Sequence, residues 1–178
     1  MLERVLPQAL RQIGTLWHAG QLNVAEEHFA TQTTGRLLER ILLLAPPADP
    51  VGRTVVMTMV AGDAHDLGLR IAAAFFELDG WRTICLGANT PALDVSLAAK
   101  SFSADLVVIG ATLNTHREEV AKAIALVRES RPEQQILVGG PGFIGLEARA
   151  LEIGANGCAL TARDAPRLGR ELFARARR

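Results

Sequence analysis

The stretch Gly62-Asp63-Ala64-His65-Asp66-Leu67-Gly68 decides how the chain is read, because it joins the apolar run Thr54–Ala61 to an apolar-periodic segment beginning near Leu69. A short apolar run that passes through a glycine-bounded turn into helical periodicity is the pattern of a buried strand followed by a helix. Asp63 and His65 are spaced so that the carboxylate takes one ring nitrogen and fixes the tautomer, leaving the other nitrogen outward as a ligand or base. Gly68 leaves room for something bulky beside the helix start. The plainer reading is a capped helix N-terminus with a solvent-exposed histidine, and the motif by itself leaves both open.

Downstream, strand and helix patterns alternate. Leu67–Leu78 reads as a helix ended by Asp79-Gly80, Thr83–Leu86 as a short strand, and Thr90 as the cap of a helix with Pro91 at its first position. Asp105–Ala111, Gln135–Val138 and Gly157–Leu160 read as strands, the last at an edge, separated by helices over Arg117–Arg131 and Leu146–Ile153 and followed by one over Asp164–Arg177. The expected fold is therefore α/β, a flavodoxin-like, doubly wound, five-stranded parallel sheet. Ligands in such sheets sit at the carboxyl ends of the strands. The loops there, 62–68, 87–90, 110–116, 139–143 and 161–164, carry glycine in all but the last case and suggest a wide, shallow-walled slot with His65 at its mouth. His116 reads as a polar rim or capping residue. No Gly-x-Gly-x-x-Gly follows the first strand, no Gly-Lys-Ser/Thr occurs, and the third strand ends in Gly110-Ala111-Thr112, so dinucleotide, phosphate-loop and phosphoacceptor chemistry lack their residues there.

Upstream, Leu6, Leu10, Ile13 and Trp17 recur at helical spacing from Leu2 to about His18. Asn23 followed by Glu26 forms the Asn variant of a capping box, so a second helix is expected from Val24 to about Leu44, closing at Ala45-Pro46-Pro47. Residues 1–45 are read as a helical cap subdomain resembling part of a four-helix bundle, 46–53 as a linker and 54–178 as the sheet domain. A two-helix hairpin cannot bury both apolar faces by itself. It is expected to pack on the rest of the chain, on a partner or second copy, or on helices upstream of this sequence.

Composition sets limits. At 178 residues, 49% hydrophobic and 21% charged, the chain suits one good core, or one domain with a small companion. Lys+Arg and Asp+Glu balance at 19 each, so no basic field recommends direct DNA binding. Cys85 and Cys158 lie far apart in apolar contexts and read as buried small hydrophobes in a reducing compartment. No apolar run approaches the roughly 18–20 residues of a membrane span, and a cytoplasmic protein is expected.

The residues now on the page resemble a known family. Asp63-x-His65-x-x-Gly68, the Gly-Ala-Asn-Thr-Pro loop at 87–91, the segment from Ala104 to Thr112, and Gly139-Gly140 are similar in order and spacing to the cobalamin-binding domain of methionine synthase and its relatives. The resemblance implies that His65 is the lower axial cobalt ligand, that Asp63 hydrogen-bonds it, and that the cofactor's nucleotide tail enters the slot. It assigns cofactor contacts to Ala64, Asp66, Leu67 and Gly68, then to Gly110, Thr112 and Leu113, and finally to Gly139, Gly140 and Thr161. An ungapped alignment puts Gly110 at the family's serine and Thr112 at its leucine, which would remove a hydroxyl near the Asp-His pair.

The helical segment adds a second resemblance. Trp17 is followed after nine residues by Glu27-His28, a pattern similar to the cap of adenosylcobalamin-dependent, MerR-type light-responsive repressors. That likeness implies Trp17 over the upper corrin face, with Glu27 and His28 lining the adenosyl space and Val24 small enough to leave it open. His18 would capture cobalt after photolysis. The expectation is a non-enzymatic cobalamin sensor, most simply an adenosylcobalamin photoreceptor that regulates transcription or signalling through a missing domain or a protein partner. The alternative is a corrinoid protein carrying a methyl group for a methyltransferase system, with methylcobalamin or hydroxocobalamin bound. A third reading is a sheet domain that has lost cobalamin and binds another tetrapyrrole or only a protein.

Overall fold

A computed structural model describes residues 5–46 and 48–175, the side chains of Pro7 and Arg175 aside. The expected helix start at Leu2, the linker residue Pro47 and the expected helix end at Arg177 lie outside the described residues. The chain forms two compact units, divided after Pro46.

The first unit is a helical hairpin, α1 (Leu6–His18) and α2 (Val24–Leu43). The capping box expected from Asn23 and Glu26 is present in both directions. Asn23 Oδ1 accepts the Glu26 N–H at 3.0 Å, and the Asn23 N–H donates to Glu26 Oε2 at 2.9 Å. Gly35 and Leu38 are the buried residues of α2, while Trp17, Val24 and Phe29 are exposed.

The second unit alternates strand and helix: β1 (Thr54–Val60), α3 (Leu67–Leu78), β2 (Arg82–Thr90), α4 (Ala92–Ser101), β3 (Leu106–Gly110), α5 (Arg117–Ser130), β4 (Gln135–Gly139), α6 (Glu147–Glu152), β5 (Gly157–Ala159) and α7 (Asp164–Arg175). The sheet order is β2-β1-β3-β4-β5, with every pairing parallel. This is the flavodoxin-like order, whose switch point lies between β1 and β3. All seven residues of β1 are buried, as a strand covered on both faces requires. Alternation along β1 divides the core into two layers. Val56 and Val60 join Ile109, Ile124, Val138 and Phe143 on one side, and Val55, Met57 and Met59 join Phe76, Trp81 and Leu137 on the other.

Three expectations need correction here. The second strand is longer than Thr83–Leu86 and runs to Thr90, with register shifts against β1 at Met57/Thr58 and Thr58/Val60. Thr90 therefore belongs to the strand. Its hydroxyl accepts from Thr58 Oγ1 at 2.6 Å, and α4 begins after Pro91 with no side-chain cap. Cys85 lies on this edge strand and is exposed, whereas Cys158 is half-buried. Among the described residues, no helix is long and apolar enough to cross a membrane.

Candidate functional site: a carboxylate-held histidine at the switch point

β1 and β3 end side by side, and the loops that leave them, 61–66 and 111–113, meet at Asp63. This carboxylate is fully buried, so its lone pairs must be satisfied by protein groups. Oδ1 accepts the His65 backbone N–H at 3.1 Å and stands 3.0 Å from His65 Nδ1. Oδ2 accepts the Thr112 N–H at 2.5 Å. Burial alone would push the Asp63 carboxyl up, but the amides and side chains of Thr112 and His65 outweigh it and hold the group below the usual carboxylate range. An anionic acceptor on Nδ1 puts the proton there and leaves Nε2 with its lone pair. The imidazole is 67% exposed, so that nitrogen is available to a ligand.

The loop carrying His65 is fixed from β2. Asn89, with φ +54°, accepts the Gly62 N–H on its Oδ1 at 2.8 Å, and its own N–H donates to the Asp63 carbonyl at 3.0 Å. His116, expected as a polar rim or capping residue, stands at the N-cap position of α5 without a side-chain cap bond, and its ring is largely buried beside Asp63. Its Nδ1 is 3.1 Å from Asp63 Oδ2, but off the direction a hydrogen bond needs, so this buried nitrogen has no hydrogen-bond partner. Asn89 lies in the Gly-Ala-Asn-Thr-Pro loop that carries the resemblance, but nothing in the sequence gives either it or His116 this role. Only the meeting of three strand ends brings them to Asp63.

The other expected residues divide. Ala64, Gly68 and Leu113 are exposed and Asp66 is half-buried, while a Cβ on Gly68 would meet nothing within 4 Å. Leu67 is turned into the core and does not face the slot, because α3 buries it with Leu69 and Ile71. Thr112, which stands at the family's leucine in the ungapped alignment, holds Asp63 through its backbone N–H, and its side chain helps to keep the carboxyl low. Gly110 and Gly139 are buried at the ends of β3 and β4. Gly140, at φ +98°, lies where a Cβ would come within 2.5 Å of the Ala111 carbonyl, so its first role is to let two strand-end loops touch. The Thr161 hydroxyl bonds Asp164 Oδ2 at 2.6 Å and accepts the Asp164 N–H at 3.2 Å, so it is engaged at the start of α7.

Trp17, His18, Val24, Glu27 and His28 all belong to the helical unit. Trp17 and His18 rings lie 4.9 Å apart, and Glu27 is shared between His28 Nδ1 at 2.6 Å and the Thr31 hydroxyl at 2.7 Å.

Among the described residues, no cluster of three or more His, Cys, Asp and Glu side chains could hold a bare metal ion. A metal on His65 would therefore have to bring most of its ligands with it, as the metal of a cofactor does. The sequence model of the B12 binding domain matches residues 53–168, and a second model, also described as a B12 binding domain, matches residues 1–42. The chain belongs to the B12 binding domain family. It is 29% identical over 177 residues to dimethylamine corrinoid protein 3 of Methanosarcina acetivorans, a match covering 97% of this chain and 82% of that protein. It is also 29% identical over 133 residues to the HTH-type transcriptional repressor CarA of Myxococcus xanthus, covering 75% of this chain and 44% of the repressor. Among solved structures, the Methanosarcina barkeri monomethylamine corrinoid protein superposes with a TM-score of 0.74 over 92% of this chain and 78% of its own, at 20% identity. That likeness bears on the fold alone.

Proposed function

We propose that the chain is a corrinoid protein that holds cobalamin through His65 and carries a methyl group for a methyltransferase partner. The observation behind His65 as lower ligand is the 3.0 Å approach of its Nδ1 to a buried carboxylate, which leaves the Nε2 lone pair facing outward. Bound there, cobalamin would supply a cobalt centre that accepts and releases a methyl group. The protein's own part is to keep the proton on His65 Nδ1, to hold Asp63 through Thr112, and to keep the slot beside Gly68 open. The methyl-carrying reading takes its support from the dimethylamine corrinoid protein, whose likeness spans both units of this chain.

A second reading, an adenosylcobalamin light sensor, is favoured by Trp17, Val24, Glu27 and His28 in the order of the repressor cap, and by the partial match to CarA. In that reading these residues meet the adenosyl group, and His18 takes cobalt after photolysis. Titrating the apoprotein in the dark with methylcobalamin and with adenosylcobalamin separates the two. A carrier binds the methyl form at least as tightly as the adenosyl form. A preference for adenosylcobalamin of about tenfold or more, equal to about 1.4 kcal/mol, would favour the sensor instead.

A further inference from the structure

One face of α2 has a symmetry that the cofactor site does not use. Gly35 and Leu38 are buried, while Glu26, Phe29, Thr33, Arg36, Leu37 and Arg40 form an exposed stripe at helical spacing on the opposite side. Phe29 is 69% exposed, a large aromatic left in water. Thr33, Arg36, Leu37 and Arg40 line a shallow concavity along this stripe.

The stripe reads as its own complement about Thr33. Phe29 lies four residues before Thr33 and Leu37 four after, while Glu26 lies seven before and Arg40 seven after. Two copies of α2 laid antiparallel across a two-fold axis at Thr33 would place each Phe29 on the other copy's Leu37 and each Glu26 opposite an Arg40. Such an isologous contact repeats every pairing twice. The occupants of the concavity would then be Phe29 and Glu26 of the second copy, an aromatic ring and an acid set against a leucine and two arginines. Thr33 and Ala30, both small, allow the helices to approach at the axis.

We infer that α2 is a homodimer contact in which two copies of this chain pair antiparallel through Glu26, Phe29, Thr33, Leu37 and Arg40. The inference is independent of which cobalamin form is bound. The surface is one helix wide, below the size of a permanent interface, so the dimer is weak and depends on concentration and salt.

The test is sedimentation of this chain over a range of concentrations. Wild type should pass from monomer to dimer in the micromolar range. E26R and R40E should each weaken the dimer by about tenfold or more, because each sets like charges face to face at two places. The E26R/R40E double variant should recover the dimer. It lacks the Glu26 half of the capping box as much as E26R does, so recovery cannot come from helix stability. T33C should form an intermolecular disulfide under mild oxidation much faster than Q32C or wild type. A chain monomeric throughout, a double variant no better than the singles, or equal cross-linking at positions 33 and 32 would overturn the inference.

Discussion

His116 Nδ1 stands 3.1 Å from Asp63 Oδ2, while Asp63 Oδ1 stands 3.0 Å from His65 Nδ1, so one buried carboxylate lies between two imidazoles. The inner ring is packed under the loop and the outer one faces solvent. His116→Ala should open space beside the Asp63 carboxylate, which the Thr112 and His65 amides still hold, and so loosen the packing that sets the direction of His65 Nε2. The expected result is cobalamin binding weakened by about tenfold, with the His-ligated absorption spectrum retained at saturation. His65→Ala should remove that spectrum altogether. Absorbance titration of both variants checks the pair.

Asp63→Asn keeps the shape of the carboxylate but removes its charge. Cobalamin affinity is expected to fall about 10–100-fold, the usual cost of losing an outer partner of a metal-bound histidine. The apoprotein offers a separate reading through pH. Because the folded protein holds the Asp63 carboxyl below its usual range, ionisation of this group adds stability above the unfolded value of about 3.9, and that stability is lost as pH falls through the folded value. The gap in melting temperature between wild type and Asp63→Asn should be present near neutrality and shrink below about pH 4.

Gly140→Ala tests the contact between the ends of β3 and β4. A methyl there meets the Ala111 carbonyl and is held at φ +98°, so the variant should lose about 1–3 kcal/mol of stability by denaturant unfolding. The same variant probes whether the slot depends on that contact, since Ala111 precedes Thr112.

In the helical unit, Asn23→Ala removes an acceptor for the Glu26 amide and breaks the reciprocal cap. The expected loss is about 0.5–2 kcal/mol of helix stability. It should appear in the far-ultraviolet melting of α2 and leave the spectrum of bound cobalamin at saturation unchanged.

The elements that were legible in the sequence are those whose signal is local. β1 is a continuous apolar run buried on both faces, α2 opens with both halves of its capping box, and Asp63 sits two residues from the histidine it holds. What escaped depends on neighbours distant in sequence. Thr90 looks like a helix cap until Thr58, across the sheet, takes its hydroxyl. Leu67 sits within the motif, yet the helical turn that begins there rotates it into the core. Thr112 could be placed beside Asp63 only by the register of β1 and β3, and an ungapped alignment put Gly110 there instead. His116 lies at the end of a 3₁₀ turn whose direction no periodicity encodes.

Asn89 has one further consequence. By accepting from Gly62 and donating to the Asp63 carbonyl, it clamps the histidine loop to the edge strand before any ligand arrives. The conformational freedom of that loop is given up when the chain folds, and little of it remains to be lost on binding. The amides of Gly62 and Asn89 should accordingly resist hydrogen exchange in the empty protein almost as well as in the loaded one.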